Sequence, residues 1–332
     1  MLDVTVVLLD GNYASTALGP IEVFHSAGAL WHALKGGVPD PRFRVTTASI
    51  DGEGVTSPYG VTLSAQRAIR QVAHADIIIL PATGLDLDEK LRAHRDVIGW
   101  LREWHAKGAY IAGICTGAAY LAEAGLLDGR HATTHWAVAE AYAQRYPKVH
   151  WRPEMFITEE QRLLCSGGVY ASMDLSLYLV EKFCGHEIAL EVAKALLIDM
   201  PRRHQSGYAV LPLSRPHTDE KIRAVERYME AHYSADLSIE RLAGRASMSP
   251  RNFLRRFKAA TGHLPGEYAQ NLRISVARHM LEGGDKSVES ISRAVGYEDT
   301  AFFRTLFRRY TGMAPGEYRS RFGGATAPER LQ

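Results

Sequence analysis

Apolar and polar positions fall into two regimes along this chain. Up to about residue 200, short and nearly continuous apolar runs alternate with longer amphipathic stretches. Val4 to Leu9, Phe43 to Ala48 and Ile77 to Leu80 have the pattern of strands buried on both faces. Helical stretches are predicted over 20–34, 88–106, 116–125, 136–145, 171–183 and 187–199. Such alternation predicts an α/β domain: a parallel sheet covered by helices on both faces, with ligands taken at the carboxyl ends of the strands. Periodicity is lost between Met200 and about His217, a proline-bearing stretch that reads as a boundary. Beyond it every predicted element is helical. The expected organisation is a sheet domain over 1–205, a linker over 206–217, an all-α domain over 218–322 and a flexible tail over 323–332.

The helical domain states its pattern twice. Phe253-Leu254-Arg255-Arg256-Phe257, Thr261-Gly262 and Pro265-Gly266-Glu267-Tyr268 return fifty residues on as Phe303-Arg304-Thr305-Leu306-Phe307, Thr311-Gly312 and Pro315-Gly316-Glu317-Tyr318. Upstream, Ser238, Ile239 and Leu242 recur as Ser287, Val288 and Ile291. Each copy reads as a short amphipathic helix, a tight turn and a longer helix that buries its two phenylalanines at i,i+4. Ser249-Pro250 is a strong start for the first long helix, and the second begins near Asp299. Arg251, Asn252, Arg255, Arg256 and Lys258 then face outward with no acid among them. Their counterparts are Thr300, Ala301, Arg304, Thr305, Arg308 and Arg309. A basic helix behind a tight turn suits the major groove, so two helix-turn-helix motifs are expected. A predicted helix over Pro265 to Glu282 sets the distance between the readers, about one DNA turn, on the order of 34 Å.

From Thr218 to Phe322 the sequence closely resembles the AraC/XylS family of transcription regulators. The resemblance implies sequence-specific binding to double-stranded DNA. It implies base contacts from Arg251, Asn252 and Arg255, then from Thr300, Ala301 and Thr305. Ser249, Arg256, Arg304 and Arg308 would hold phosphates. Because Ala301 and Thr305 are short, the second reader is expected to rely more on phosphates and thymine methyl groups.

Charge agrees with this division. Residues 219–322 hold 18 Lys+Arg against 13 Asp+Glu, whereas the rest of the chain holds 21 against 24. A basic module beside a mildly acidic one fits a DNA reader with a separate sensing domain. The binding should weaken steeply with salt. No signal peptide or membrane-length apolar run is apparent, which points to the cytoplasm. Three cysteines, at 115, 165 and 184, make neither a disulfide framework nor a metal-ligand spacing, so no metal or cofactor is expected.

One feature of the sheet domain carries chemistry. Tyr110-Ile111-Ala112-Gly113-Ile114-Cys115-Thr116-Gly117-Ala118 reads as a strand entering a helix, with the cysteine at the corner. Small residues at Gly113, Gly117 and Ala118 allow the turn that a nucleophile elbow needs. A helix N-terminus would lower the thiol pKa, and the Thr116 N–H would hold an oxyanion. His135, twenty residues on, is a candidate base. Cys165 and Cys184 read as structural. Asp10 and Glu22 read as solvated or helix-supporting.

The Gly113–Gly117 block, Gly125-Leu126-Leu127-Asp128-Gly129 and Ala132-Thr133-Thr134-His135-Trp136 resemble the ThiJ/PfpI branch of the class I glutamine amidotransferase-like fold, over most of the first 200 residues, which implies a flavodoxin-like parallel sheet covered by helices. That branch includes hydrolases and hydratases acting through the cysteine. In them a carboxylate four residues before an early proline supports the nucleophile; here the proline is Pro20 and the position is Thr16. Threonine accepts no proton at neutral pH, so the resemblance implies a sensor rather than an enzyme. Together the two halves resemble the GlxA-type regulators. That resemblance implies a homodimeric activator that works with RNA polymerase and responds to an amino acid, amine or betaine. The effector pocket would involve Thr16, Gly84, Cys115, Thr116, His135 and Trp136. The alternative is a Cys115-dependent hydrolase or hydratase fused to a DNA-binding module, with Cys115 and His135 catalytic.

Overall fold

The computed structural model describes the chain except residues 201, 203, 204, 209–212, 215, 285 and 324–332. Nearly all of the 323–332 tail and part of the 206–217 linker therefore lie outside the described residues. The chain divides into two compact units, Met1–Ser206 and Gly207–Gln332. No described helix is long and apolar enough to cross a membrane.

The first unit is built on a seven-stranded sheet. Its order is Ile157–Glu160, Leu163–Ser166, Tyr110–Ile114, Ile77–Leu80, Leu2–Val7, Phe43–Ser49 and Arg67–Ala68. All pairings are parallel except the edge hairpin of Ile157–Glu160 with Leu163–Ser166. Val4, Val6, Ile77, Ile79, Ala112 and Ile114 face a core built with helices Ser15–Ser26, Ala171–Cys184 and His186–Leu196. Val7, Leu9, Ile78, Leu80 and Ile111 face the other, against Arg95–Ala106 and Ala118–Glu123. Both faces are covered, which is why the central strands need no polar alternation.

Two predicted helices differ from their reading. The stretch from residue 20 begins earlier, at Ser15, with Pro20 inside it, then stops at Ser26 and resumes over Leu30–Leu34. Its start is pinned by the Tyr13 N–H donating to the Ala82 carbonyl (2.9 Å). The 88–106 stretch is two helices, Leu87–Ala93 and Arg95–Ala106. They part at His94, which turns inward so that its Nδ1 meets Tyr120 Oη at 2.8 Å.

The second unit has two lobes. Ile222, Val225, Met229, Leu242, Phe253, Phe257, Tyr268 and Leu272 make one core. Ile291, Phe303, Phe307, Met313 and Tyr318 make the other, with Ile274, Ala277 and Leu281. One 18-residue helix, Pro265–Glu282, supplies both: its first half packs into the first lobe and its second half into the other. Among the described linker residues, Tyr208 and Leu213 pack against these cores.

Candidate functional site

The elbow forms as its sequence demands. Cys115 follows the Tyr110–Ile114 strand with a left-handed backbone (φ +54°) and opens a 3₁₀ turn that leads into Ala118–Glu123. Such a conformation costs an L-residue ~1–2 kcal/mol, so packing must impose it. The neighbours leave no latitude: a Cβ on Gly117 would lie 2.7 Å from the Pro81 carbonyl oxygen, and one on Gly113 2.9 Å from Ala118 N.

Around this corner the hydrogen bonds are mostly committed. Thr134 Oγ1 donates to the Cys115 carbonyl (2.9 Å). Thr116 Oγ1 donates to the Thr83 carbonyl (2.7 Å) and accepts from Thr83 N–H (2.9 Å). Thr16 is fully buried; its hydroxyl donates to the Tyr13 carbonyl (2.6 Å) and accepts from Ala82 N–H (3.1 Å). The residue at the usual carboxylate position thus stitches the helix start to the end of the Ile77–Leu80 strand.

The thiol departs from its expected state. Burial pushes Cys115 up to about 11, although the backbone N–H groups of Thr116 and His135 pull the other way. The turn is too short and the sulfur too buried for the helix terminus to prevail over desolvation. His135 is half-buried, which lowers its pKa. Its Nδ1 accepts the Ala137 N–H (3.1 Å), so the neutral ring carries its proton on Nε2 and is a donor there. Trp136 is half-exposed, with its ring 5.2 Å from that of His135. Gly84 is half-buried at the strand-end loop. Asp10 accepts the Thr56 N–H (3.0 Å), and Glu22 is exposed.

Gln205 was not legible as part of this site. It is 2% exposed, and its Nε2 donates to the Thr134 carbonyl (2.8 Å), the Met155 carbonyl (3.0 Å) and Thr133 Oγ1 (3.2 Å). Three residues earlier, Arg202 pairs with buried Asp174 (2.6 Å). Arg202 and Gln205, in the aperiodic stretch after Met200, are therefore anchored in the first unit, which ends at Ser206. Nothing in the composition of that stretch distinguishes an anchored glutamine from a linker one.

In the second unit the two helices expected to read DNA form over Pro250–Thr261 and Thr300–Thr311. Each follows a short helix, Ile239–Arg245 or Val288–Ala294. The two turns superpose in their bonds. Ser247 N–H and Met248 N–H reach the Gly244 and Ala243 carbonyls, as Gly296 and Tyr297 reach Arg293 and Ser292. Both turns need a left-handed residue, supplied by Ser247 (φ +54°) and Gly296 (φ +85°).

Arg251, Arg255, Ala301, Arg304, Thr305 and Arg308 are exposed, while Asn252 and Thr300 are half-buried. Asn252 accepts from Arg255 Nη2 (3.1 Å), which holds the two side chains together. Ser249 occupies the cap position without a side-chain cap bond, leaving its hydroxyl uncommitted there. Arg256 stands apart from the phosphate role expected of it: it is ion-paired with Asp219, the cap of the Glu220–Ala231 helix. The Arg256 guanidinium lowers the Asp219 pKa. The sequence could not reveal this, since Asp219 lies 37 residues away.

These two constructions, a helix-corner cysteine on a parallel sheet and a doubled helical pattern, have counterparts among known proteins. Residues 4–182 match the DJ-1/PfpI family, and residues 242–321 match a helix-turn-helix domain. The HTH-type transcriptional regulator CdhR of Pseudomonas aeruginosa is 30% identical over 310 residues, 92% of this chain and 87% of that protein. GlxA of Rhizobium meliloti, also an HTH-type transcriptional regulator, is 30% identical over 226 residues, 67% of this chain and 69% of its own. GbdR of Pseudomonas aeruginosa is 26% identical over 278 residues, 83% and 75%. Among solved structures, Drosophila melanogaster DJ-1beta matches with a TM-score of 0.51 at 23% identity, covering 60% of this chain and 98% of that one. An AraC family regulator from Pseudomonas putida gives 0.50 at 22%, covering 59% and 100%. These two likenesses bear on the fold alone. The chain belongs to the DJ-1/PfpI family and is a DNA-binding transcription regulator of the helix-turn-helix type.

Proposed function

We propose that this regulator is a cytoplasmic, homodimeric activator that binds a small nitrogenous metabolite without transforming it and recruits RNA polymerase at its promoters. One observation carries the non-catalytic reading: the two residues expected to serve the Cys115 thiol, Thr16 and His135, have their acceptors committed to other partners. The Thr16 hydroxyl donates to the Tyr13 carbonyl and accepts from the Ala82 N–H, and the His135 Nδ1 lone pair is taken by the Ala137 N–H. Thr16, Gly84, Cys115, Thr116, His135 and Trp136 serve as the ligand's surroundings. The half-exposed Trp136 ring offers a π-face to an ammonium group of an amino acid, amine or betaine. Signalling runs through Gln205. It holds the carbonyl of Thr134, whose hydroxyl bonds the Cys115 carbonyl, and it lies two residues before the second unit begins. A ligand with different affinity for the clamped and released states shifts how the readers are presented.

In the second unit, Arg251, Asn252 and Arg255 read bases in the first half-site, and Thr300, Ala301 and Thr305 in the second. Ser249, Arg304 and Arg308 hold phosphates, and Arg256 supports them through Asp219.

The test is a thermal-shift screen of the full chain against amino acids, amines and betaines, with each hit recovered for mass spectrometry. Hits returned intact support the sensor. Gln205→Leu should then retain the ligand-induced shift and lose the transcriptional response. A second reading, a Cys115 hydrolase or hydratase, is favoured by the strained elbow and by the two N–H groups directed at the sulfur. Turnover abolished by Cys115→Ala would establish it.

A further inference from the structure

The start of the second reading helix is chemically unlike the first. Asp299 Oδ1 accepts the N–H groups of Ala301 (2.8 Å) and Phe302 (3.1 Å), so the donors that would otherwise meet a phosphate are occupied by a carboxylate. Thr305 turns its hydroxyl proton back to the Ala301 carbonyl (3.1 Å), which leaves its methyl group as the outward chemistry. Between them Phe302 stands 51% exposed. It is out of phase with the buried Phe303–Phe307 stripe, and its ring is braced at 5.9 Å by that of Tyr297. Single exposed apolar side chains are ordinary on protein surfaces. Here the alanine methyl, the phenyl ring and the threonine methyl share one helix face, at the N-terminal end that a reading helix aims into the groove. Exposed Arg304, Arg308 and Arg309 on the same helix supply the positive charge that brings a duplex to it.

We infer that Ala301, Phe302 and Thr305 form an apolar reading surface for thymine 5-methyl groups, with Phe302 its main element. The major groove displays that methyl only on thymine, and apolar side chains are its complement. The inference rests on the proposed sequence-specific reading of DNA by this helix. It adds Phe302 as the main contact to the thymine methyl group. The first reader, with Arg251, Asn252 and Arg255, has hydrogen-bonding groups instead, so the two half-sites are read by different chemistry.

The experiment uses the full-length protein and the duplex it enriches from a random pool. Each thymine of that duplex is replaced singly by deoxyuridine, which deletes the methyl group and nothing else. One or two replacements, confined to one half-site, should weaken binding about fourfold, the worth of one buried methyl at ~0.8 kcal/mol. Phe302→Ala should bind the thymine duplex weakly and show no further loss with uracil, while Phe302→Leu keeps most of the discrimination. Arg304→Ala should weaken both duplexes alike. An enriched duplex indifferent to every uracil, or unchanged uracil discrimination in Phe302→Ala, overturns the inference and leaves specific binding intact. So does a Phe302→Ala variant that binds normally and fails only in transcription, which would make the surface a polymerase contact. A pool with no enriched sequence removes the specific-reader proposal itself, and this inference with it.

Discussion

Alkylation of the native protein separates a sensing thiol from a catalytic one. Thiolate is the reacting species, so iodoacetamide measures the ionised fraction directly. Burial moves Cys115 from 9.0 to about 11. At pH 8 that leaves roughly one sulfur in a thousand ionised rather than one in ten, a hundredfold deficit at tenfold per pKa unit. The 5% exposure of the residue slows the reagent further. Peptide mapping after timed exposure at several pH values gives a rate for each cysteine. Cys184, which is half-buried, should react first and Cys115 more slowly. Cys165, pushed up to about 12 by full burial, should be slowest. The Cys115 rate should climb tenfold per pH unit to beyond pH 10 without levelling. A plateau below pH 8, or a Cys115 rate above that of Cys184, would show an activated thiolate and defeat the argument that the elbow has lost its chemistry.

Other consequences are open to direct measurement. Burial, followed by the nearby Lys90 charge, lowers His94 from 6.5 to about 4. The unfolded chain therefore binds the extra proton between those values. The stabilisation from keeping His94 neutral, up to about 3 kcal/mol, is complete above pH 6.5 and is lost as pH falls toward 4. Urea midpoints across that window should slope, and His94→Gln should flatten the slope. Ser247→Gly should stabilise the second unit by about 1 kcal/mol by removing left-handed strain. Gly296→Ala should destabilise it by more, because the added Cβ would meet the Ser234 carbonyl at 2.6 Å. Denaturation of both variants compares them with the parent. Arg255→Ala should cost about 1–3 kcal/mol on the preferred sequence and relax base preference. Arg256→Ala should instead lower the melting temperature, since it removes the ion-pair partner of the Asp219 cap, and weaken all duplexes alike.

What could be read from the sequence follows the range of the interactions. The Pro265–Glu282 helix is marked by a proline at one end and glycines at the other, and it forms between those residues. The Cys115 corner was visible because glycines must flank it. The edge hairpin of Ile157–Glu160 and Leu163–Ser166 was not, since its first strand is polar and half-buried and owes its place to pairing rather than pattern. The Cys115 pKa depends on how deeply the sulfur is buried, which no local motif states. Arg256 and Gln205 take their roles from partners 37 and about 70 residues distant. Phe302 is different: its phase against Phe303 and Phe307 is local, and an outward aromatic on a reading helix can be found from the sequence.

The helix shared by the two lobes also sets a rule for promoters. Its 18 residues span roughly 27 Å, and both ends are locked into packed cores, so it neither stretches nor twists. One base pair inserted between the half-sites would turn the second by about 35° around the duplex and carry it out of phase with its reader. Mismatched bases can be tolerated singly, each at its own cost, but an insertion displaces every contact of one lobe at once. Promoters served by this protein should therefore vary in letters while keeping one invariant spacing.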